Sequence, residues 1–597
     1  MKFMKIFGAA LLAVVVGSVI SGLFWVITLF GFAGSMGGSA VSVMPNSILK
    51  IDLADNISDS PVVNPLSNLT SMNTARTVSL LSVLRAIEAA AADNRIKGIY
   101  LNFTDGGSAS AVALEEMRAA IEEFKKSGKF VVAHNDSYSQ IGYYLASVAD
   151  KVYLQPEGGF NWMGLGTTTV FLKGALDKLG INCEVFRPTV CKYKSAVEPY
   201  ILDKMSAANR KQNEVVVNSM WNTITTAVAQ SRNTTVAQLN KLADTQPMML
   251  AKEALAANLV DGLLYKDQMD DIFAEYGVEK NLLGKYEYIT LGDYSTVAGA
   301  NMRNLSAPKV GIIYAEGTIV DGQQTNPDGN IYGNTLAQTL AKARTDENIK
   351  AVVLRVNSPG GSALASDIIW REVELLKAAK PVIVSMGSYA ASGGYYISAP
   401  ADAIVANKLT ITGSIGVFGM IMEGSEMFKK KLGVTFDGVK TNPSADFGQG
   451  FLGLVTRPFS TTERAMLIKS VDNVYETFTT KVANGRNLKI DDVLNISEGR
   501  IWSGTDALNI GLADANGGLK SAISIAADKA GIADNFRVEE VLEELNPFMA
   551  FMQSIGAQMR VMMLGKELDD VCSQYQSAKQ ALTLEGVNMY CLDRVHF

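Results

Sequence analysis

Histidine is nearly absent from this chain: 597 residues contain two, His134 and His596. A serine nucleophile that relies on histidine therefore has almost no candidate base. His134 falls at the end of a β-rich run, where local hydrogen bonds account for it, and His596 is one residue from the last. No GxSxG elbow occurs either. Cysteine is equally scarce. Cys183, Cys191, Cys572 and Cys591 are too few for a disulfide framework and show no CxxC spacing, so no metal site is expected. Cys183 and Cys191 can pair in an oxidising compartment or remain two partly buried thiols. Positive charge is not in excess: 54 basic against 60 acidic residues give a formal net charge of −6, with no dense Lys/Arg block. Nucleic acid is excluded as a partner on that balance.

Charge is also missing locally. Ile6 to Gly34 holds no charged residue, a stretch longer than the ~20 residues a helix needs to cross a bilayer. It reads as one uncleaved transmembrane signal anchor, with small residues from Ala33 to Ala40 leaving cleavage as the alternative. Lys2 and Lys5 precede the span, and the next charge is Lys50, so the remainder is expected to face away from the cytoplasm. Pro547 to Leu564 is interrupted by Gln553, Gln558 and Arg560, and suits a docked amphipathic helix better than a second span. Its methionines, Met549, Met552, Met559, Met562 and Met563, form an apolar face for packing.

What is present, and present twice, is one long pattern. DNRIKGIYLNFTDGGSAS from Asp93 is answered by DENIKAVVLRVNSPGGSA from Asp346. Tyr143-Tyr144-Leu145-Ala146-Ser147 is answered by Tyr395-Tyr396-Ile397-Ser398, and TTAVAQSRN ending at Asn233 by TTKVANGRN ending at Asn487. The offset stays near 250 residues, the mark of an internal repeat. In each copy a β-rich run meets a Gly-rich turn, then a helical stretch, then another β-rich run; in the second copy these are Ala351 to Val356, Ala363 to Ala379 and Pro381 to Met386. That order predicts two α/β domains in tandem. The expected division is 1–44 anchor and linker, 45–262 first repeat, 263–308 connection, 309–545 second repeat and 546–597 carboxyl-terminal extension.

Two turns of the second copy carry candidate chemistry. Asn357-Ser358-Pro359-Gly360-Gly361-Ser362 ends a strand and begins a helix, and its bare backbone can point N–H groups at negative charge. Ala390-Ala391-Ser392-Gly393-Gly394 offers a serine at a strand-to-helix turn, with the Gly393 N–H beside it. A helix-capping serine fits these residues alone slightly better. With histidine excluded, lysine is the remaining base, but burial must depress its ordinary pKa of ~10.4 before it accepts a proton at neutral pH. Residue pattern alone does not choose among the lysines. Gly448-Gln-Gly450-Phe-Leu-Gly453 matches GxGxxG, yet it follows no strand and opens no helix, so nucleotide binding is not expected. Ser47-Ile-Leu-Lys50 matches SxxK without a companion motif.

The doubled architecture, NSPGGS at 357–362, ASGGYYIS at 391–398, TGSIG at 412–416 and YKSAVEPY at 193–200 resemble the long form of the signal peptide peptidase A (protease IV) family. The resemblance spans roughly residues 45–540 together with the anchor. It implies two crotonase-like (Clp protease-like) α/β domains, Ser392 as nucleophile, Lys194 as general base and Ser414 as the residue that orients the lysine. Resemblance to the related Clp proteolytic subunit implies oxyanion donors at Gly361 and Gly393. It further implies signal peptides as substrates, no cofactor, a homotetramer, and residence in the inner (cytoplasmic) membrane with the catalytic part facing the periplasm or outside. Each repeat holds half of this dyad: Gln140 stands near the position of Ser392, and no lysine stands at the counterpart of Lys194, between Pro443 and Asp446. The rivals are an acyl-coenzyme A enzyme of the same superfamily, which the anchor disfavours, and a non-catalytic scaffold, which intact Ser392 and Lys194 disfavour.

Overall fold

Strands such as Ile349–Ser358 are buried almost throughout instead of alternating, the pattern of parallel strands covered by helices on both faces. The computed structural model describes residues 41–53, 56–61, 77–103, 109–301, 306–324, 329–542 and 587–590. The anchor read at 6–34 and the methionine-rich segment read at 547–564 lie outside the described residues. Among those described, no helix is long and apolar enough to cross a membrane.

The first repeat builds a parallel sheet in the order Gly262–Leu263, Lys151–Leu154, Phe130–Asn135, Ile96–Leu101, Ser47–Ile51, Tyr288–Thr290. The second repeats that order with Ala515–Asn516, Ala403–Ala406, Val382–Ala391, Ile349–Ser358, Lys309–Glu316 and Arg537–Glu540. Tyr288–Thr290 comes from the span expected to be a connection. It is the edge strand of the first sheet, standing where Arg537–Glu540 stands in the second.

Helices correspond as well. Ala111–Lys125 matches Ala363–Ala379, whose Ser362 hydroxyl accepts the Ala365 N–H and whose Ala365, Ile369, Val373 and Leu376 are buried at helical spacing. Ala207–Arg232 matches Thr461–Arg486, and both end at an asparagine in the left-handed conformation, Asn233 and Asn487. The GxGxxG segment falls on an exposed hairpin, Gly450–Phe451 with Leu454–Val455, and opens no helix. Ser47 to Lys50 lies within a strand.

The two repeats are not beads on a string. One apolar cluster joins Val112 and Leu114 of the first to Val353, Ile383, Val405 and Leu519 of the second. Inside this shared interior sits a charge cluster. Arg355 donates to Asp59 and forms an ion pair with Glu116 at 2.9 Å, while Asn357 Nδ2 donates to Asp59 at 2.8 Å. Glu116 also accepts the Leu519 N–H at 2.7 Å. The antiparallel strands Asn182–Phe186 and Phe418–Glu423 link the repeats a second time, and this link positions the site.

Candidate active site

The sheet register brings two serines together. The end of Val382–Ala391 runs parallel to Ile411–Gly413, with Ala391 beside Gly413, so the residues that follow, Ser392 and Ser414, emerge side by side. The Ser392 N–H is fixed to Gly413 O at 2.8 Å, and the Ser414 N–H to Arg500 O at 2.6 Å. Both serines hold a positive φ, 57° and 48°, which costs a non-glycine residue about 1–3 kcal/mol. The capping alternative for Ser392 does not hold: it stands at the N-cap of Gly393–Ser398, but its side chain makes no capping bond.

Its hydroxyl instead meets a lysine from the other repeat. Lys194 Nζ lies 2.6 Å from Ser392 Oγ, 2.9 Å from Ser414 Oγ and 3.0 Å from Ser414 O. Exposure of the three residues is 1%, 0% and 2%, so the cluster is shut from bulk water. A neutral amine has two N–H donors and one lone pair. Ser414 O can only accept, and Ser414 Oγ is turned toward Gly499 O at 3.4 Å as a donor, so both accept from Nζ. A neutral amine held in this way would turn its lone pair to the Ser392 hydroxyl, whereas a charged one donates to Ser392 Oγ.

Lys194 reaches this place because Asn182–Phe186 pairs with Phe418–Glu423 and carries the following loop across. There the loop lies against the second repeat: the Tyr193 N–H donates to Glu498 O at 3.0 Å, and a Cβ at Gly499 would stand 2.6 Å from Lys194 Cβ. Arg187 Nη1 donates to Lys194 O at 2.7 Å. Gly361 and Gly393 are adjacent: a Cβ on Gly393 would lie 3.2 Å from Gly361 N, and one on Gly361 would fall 1.9 Å from Ile319 O. Close backbone approach therefore requires glycine at 361, a side chain at 393 would crowd the Ser366 hydroxyl at 2.7 Å, and together the two leave a bare patch beside Ser392.

The five residues expected from sequence thus converge, and the other candidates do not. His134 is buried, with Nε2 2.9 Å from Leu264 O in the first sheet, and burial lowers its pKa. Cys183 and Cys191 are free thiols. Burial pushes Cys191 up to about 11, so a thiolate near Lys194 is not available at neutral pH. Gln140 closes on its own loop, donating to Gly164 O at 3.0 Å and accepting from Met163 and Gly164 N–H, so the first repeat has a filled site. Asp446, near the counterpart of Lys194, pairs with Arg457 and Lys440. Among the described residues no cluster could hold a metal ion.

Sequence reasoning missed Gln212. It is fully buried on Ala207–Arg232, and its Nε2 donates to Tyr193 O at 3.1 Å and Ser195 Oγ at 2.9 Å, on either side of Lys194. Its Oε1 accepts the Ile501 N–H at 3.2 Å, next to the Arg500 carbonyl that holds Ser414. One amide thus ties the segment around Lys194 to the stretch whose Arg500 carbonyl holds Ser414. The available signal was polarity on a buried helical stripe, Asn209, Gln212 and Asn213 ahead of Val216 and Met220. Gln212→Ala is expected to lower kcat by roughly 100-fold through misplacement of the amine, with KM little changed. Steady-state kinetics on a peptide substrate check this, and an unchanged kcat would refute it. Glu198 of the same motif accepts from Ser206 N and Oγ and from Asn209 Nδ2, which anchors the segment after Lys194.

Known proteins show the same division. The model of "Peptidase family S49" matches residues 123–278 and 374–533, once in each repeat. "Protease 4" of Haemophilus influenzae is 36% identical over 508 residues, covering 82% of this chain and 80% of that protein. "Serine protease SPPA, chloroplastic" of Arabidopsis thaliana is 33% identical over 456 residues, 75% of this chain and 65% of that protein. A solved ClpP1 mutant from Listeria monocytogenes aligns over 36% of this chain and 94% of its own at 12% identity, with a TM-score of 0.24, too low to bear on the fold. With the family's model matched in both repeats and its members aligned along most of the sequence, the chain belongs to peptidase family S49 and is a serine peptidase.

Proposed function

We propose that the chain is a membrane-anchored endopeptidase that uses a Ser392–Lys194 dyad to degrade cleaved signal peptides and similar apolar peptides. The observation that carries this reading is the buried contact of 2.6 Å between Lys194 Nζ and Ser392 Oγ, with Ser414 occupying the amine's donors. Burial penalises a charged amine, so the neutral form needed for a base is favoured. Lys194 takes the Ser392 proton and the alkoxide attacks a peptide carbonyl. Negative charge develops toward the Gly361 and Gly393 N–H groups, and the leaving amine departs with the proton from Lys194. Water then enters, gives a proton to Lys194 and bonds to the acyl carbon; the ester bond to Ser392 Oγ breaks, that oxygen takes the proton back from Lys194, and the free acid leaves.

Residues 6–34 anchor the protein in the inner membrane, with the peptidase facing away from the cytoplasm. Assembly follows from the repeat. Asn182–Phe186 of the first repeat pairs with Phe418–Glu423 of the second; their counterparts, near 434–439 and 168–172, lie outside every strand pair among the described residues. Phe436, Val439 and Val170 are exposed there. Pairing the second repeat of one copy with the first of the next is a head-to-tail contact, which gives a ring when the rotation between copies closes; the proposed ring is a homotetramer. Ser392→Ala is expected to lose peptidase activity and fluorophosphonate labelling while sedimenting, like the parent, as four chains. Retained activity would end the dyad proposal, and a parent that sediments as one chain would end the ring.

A further inference from the structure

The carboxyl-terminal strand lies where a substrate would lie. Val587–Tyr590 runs antiparallel to Gly360–Ser362, with Tyr590 opposite Gly360, Met589 opposite Gly361 and Asn588 opposite Ser362. Its other edge runs antiparallel to Phe418–Glu423, with Asn588 opposite Phe418 and Val587 opposite Gly419. The first of these strands contains Gly361, whose amide abuts Gly393, next to Ser392. The second begins four residues after Ser414. The tail therefore fills the gap between the two strand edges that flank the Ser392–Lys194 contact, and both of its own edges are paired.

An extended peptide is recognised by adding a strand to an exposed edge, and here two edges are offered at once. A peptide entering this cleft must use the backbone groups that the tail already occupies. Residues 541–586 separate the tail from the strand Arg537–Glu540, and a chain of that length can span up to about 150 Å, enough for the tail to belong to the same chain as the cleft. A tethered strand competes at an effective concentration set by its linker, which does not change when the protein is diluted.

We propose that residues 587–590 are a built-in pseudosubstrate, an intramolecular strand that competes with extended peptides for the cleft; this rests on the peptidase reading of the same site. The competitor raises the apparent KM and leaves kcat unchanged, because it must leave before substrate binds and takes no part afterwards. Substrates that win are those with enough extended apolar length to displace a short strand, which sets a threshold against brief or weakly binding peptides.

The test uses the full chain carrying Asn588→Pro together with Met589→Pro, which removes two ladder N–H donors from a strand paired on both sides. With a fluorogenic peptide, KM is expected to fall at least about threefold, with kcat within about twofold of the parent. An unchanged KM overturns the proposal. A parent KM that falls on dilution, with the proline variant indifferent to concentration, places the tail in a neighbouring copy and overturns the intramolecular form. Amide hydrogen exchange of 360–362 and 418–419 in a Ser392→Ala background reads tail placement without activity. Slow exchange that becomes fast in the proline variant supports the proposal, and equal exchange refutes it. If exchange responds while neither protein cleaves any peptide, the peptidase reading fails and the tail placement stands.

Discussion

Lys194→Arg should be as inactive as Lys194→Ala, with kcat reduced by about 10⁴-fold or more, the scale seen when one member of a catalytic unit is removed. Charge is retained in the arginine variant, so a role limited to electrostatic attraction would survive the change. A base would not survive it, because a guanidinium does not release its proton in proteins. The arginine must also fit where the amine is 1% exposed and three polar contacts converge on a single nitrogen. The sign of the pH dependence follows from the same role. The base works only when unprotonated, so kcat/KM should fall as pH drops through its apparent pKa. Because burial penalises a charged amine, the acidic limb of the profile is expected below the ordinary ~10.4 of lysine. A pH profile measured for the parent, together with the activities of both variants, checks the assignment. Full activity in Lys194→Arg would remove Lys194 from the chemistry.

Arg355→Leu should destabilise the protein by about 3–5 kcal/mol, the usual cost of deleting one partner from a buried ion cluster. The side chain is 1% exposed and satisfies Asp59, just after the strand Asn56–Ser58, and Glu116, on the helix Ala111–Lys125, at side-chain exposures of 5% and 3%. Leucine leaves two carboxylates in an apolar interior with no cation between them. Desolvation, which raises the Glu116 carboxyl against the pull of Arg355, then acts unopposed by that cation. A raised carboxyl binds protons more tightly in the folded state, so the variant's deficit should shrink as pH is lowered from 7 toward 5. Denaturant unfolding at the two pH values measures both effects. A loss below 1 kcal/mol, or a deficit that grows on acidification, would show that the cluster is not a keystone between the repeats. Arg355 lies on the strand that ends at Ser358, immediately before the Gly360-Gly361 turn, so activity is expected to fall with stability.

Much of the fold was legible because α/β architecture writes itself in local periodicity. The helix expected at Ala363 to Ala379 has those bounds in the structure, and the strand after it begins at Val382, within one residue of the expected start. The repeat was legible because both copies keep the same punctuation, down to the asparagine that ends each long helix. The edge strand Tyr288–Thr290 was not legible as part of the first sheet. A three-residue strand carries too little pattern, and its partner Ser47–Ile51 lies some 240 residues earlier. Gln212 was hidden for a related reason: its importance comes from two backbone segments brought to it from elsewhere, and neither is a neighbour in sequence.

By itself the sequence determined the classes of chemistry open to this protein. Two histidines removed the usual triad, and the glycines at 360–361 and 393–394 marked backbone that must stay bare. Residue chemistry alone left the lysine open and the family resemblance named Lys194, but only the tertiary structure shows how it comes to meet Ser392. The loop bearing Lys194 closes onto Glu498 to Ile501 of the other repeat after the pairing of Asn182–Phe186 with Phe418–Glu423. That contact joins residues 198 positions apart. Periodicity reports the faces of single elements, whereas a contact between elements depends on strand register and on how two sheets share one interior, and no local pattern encodes either.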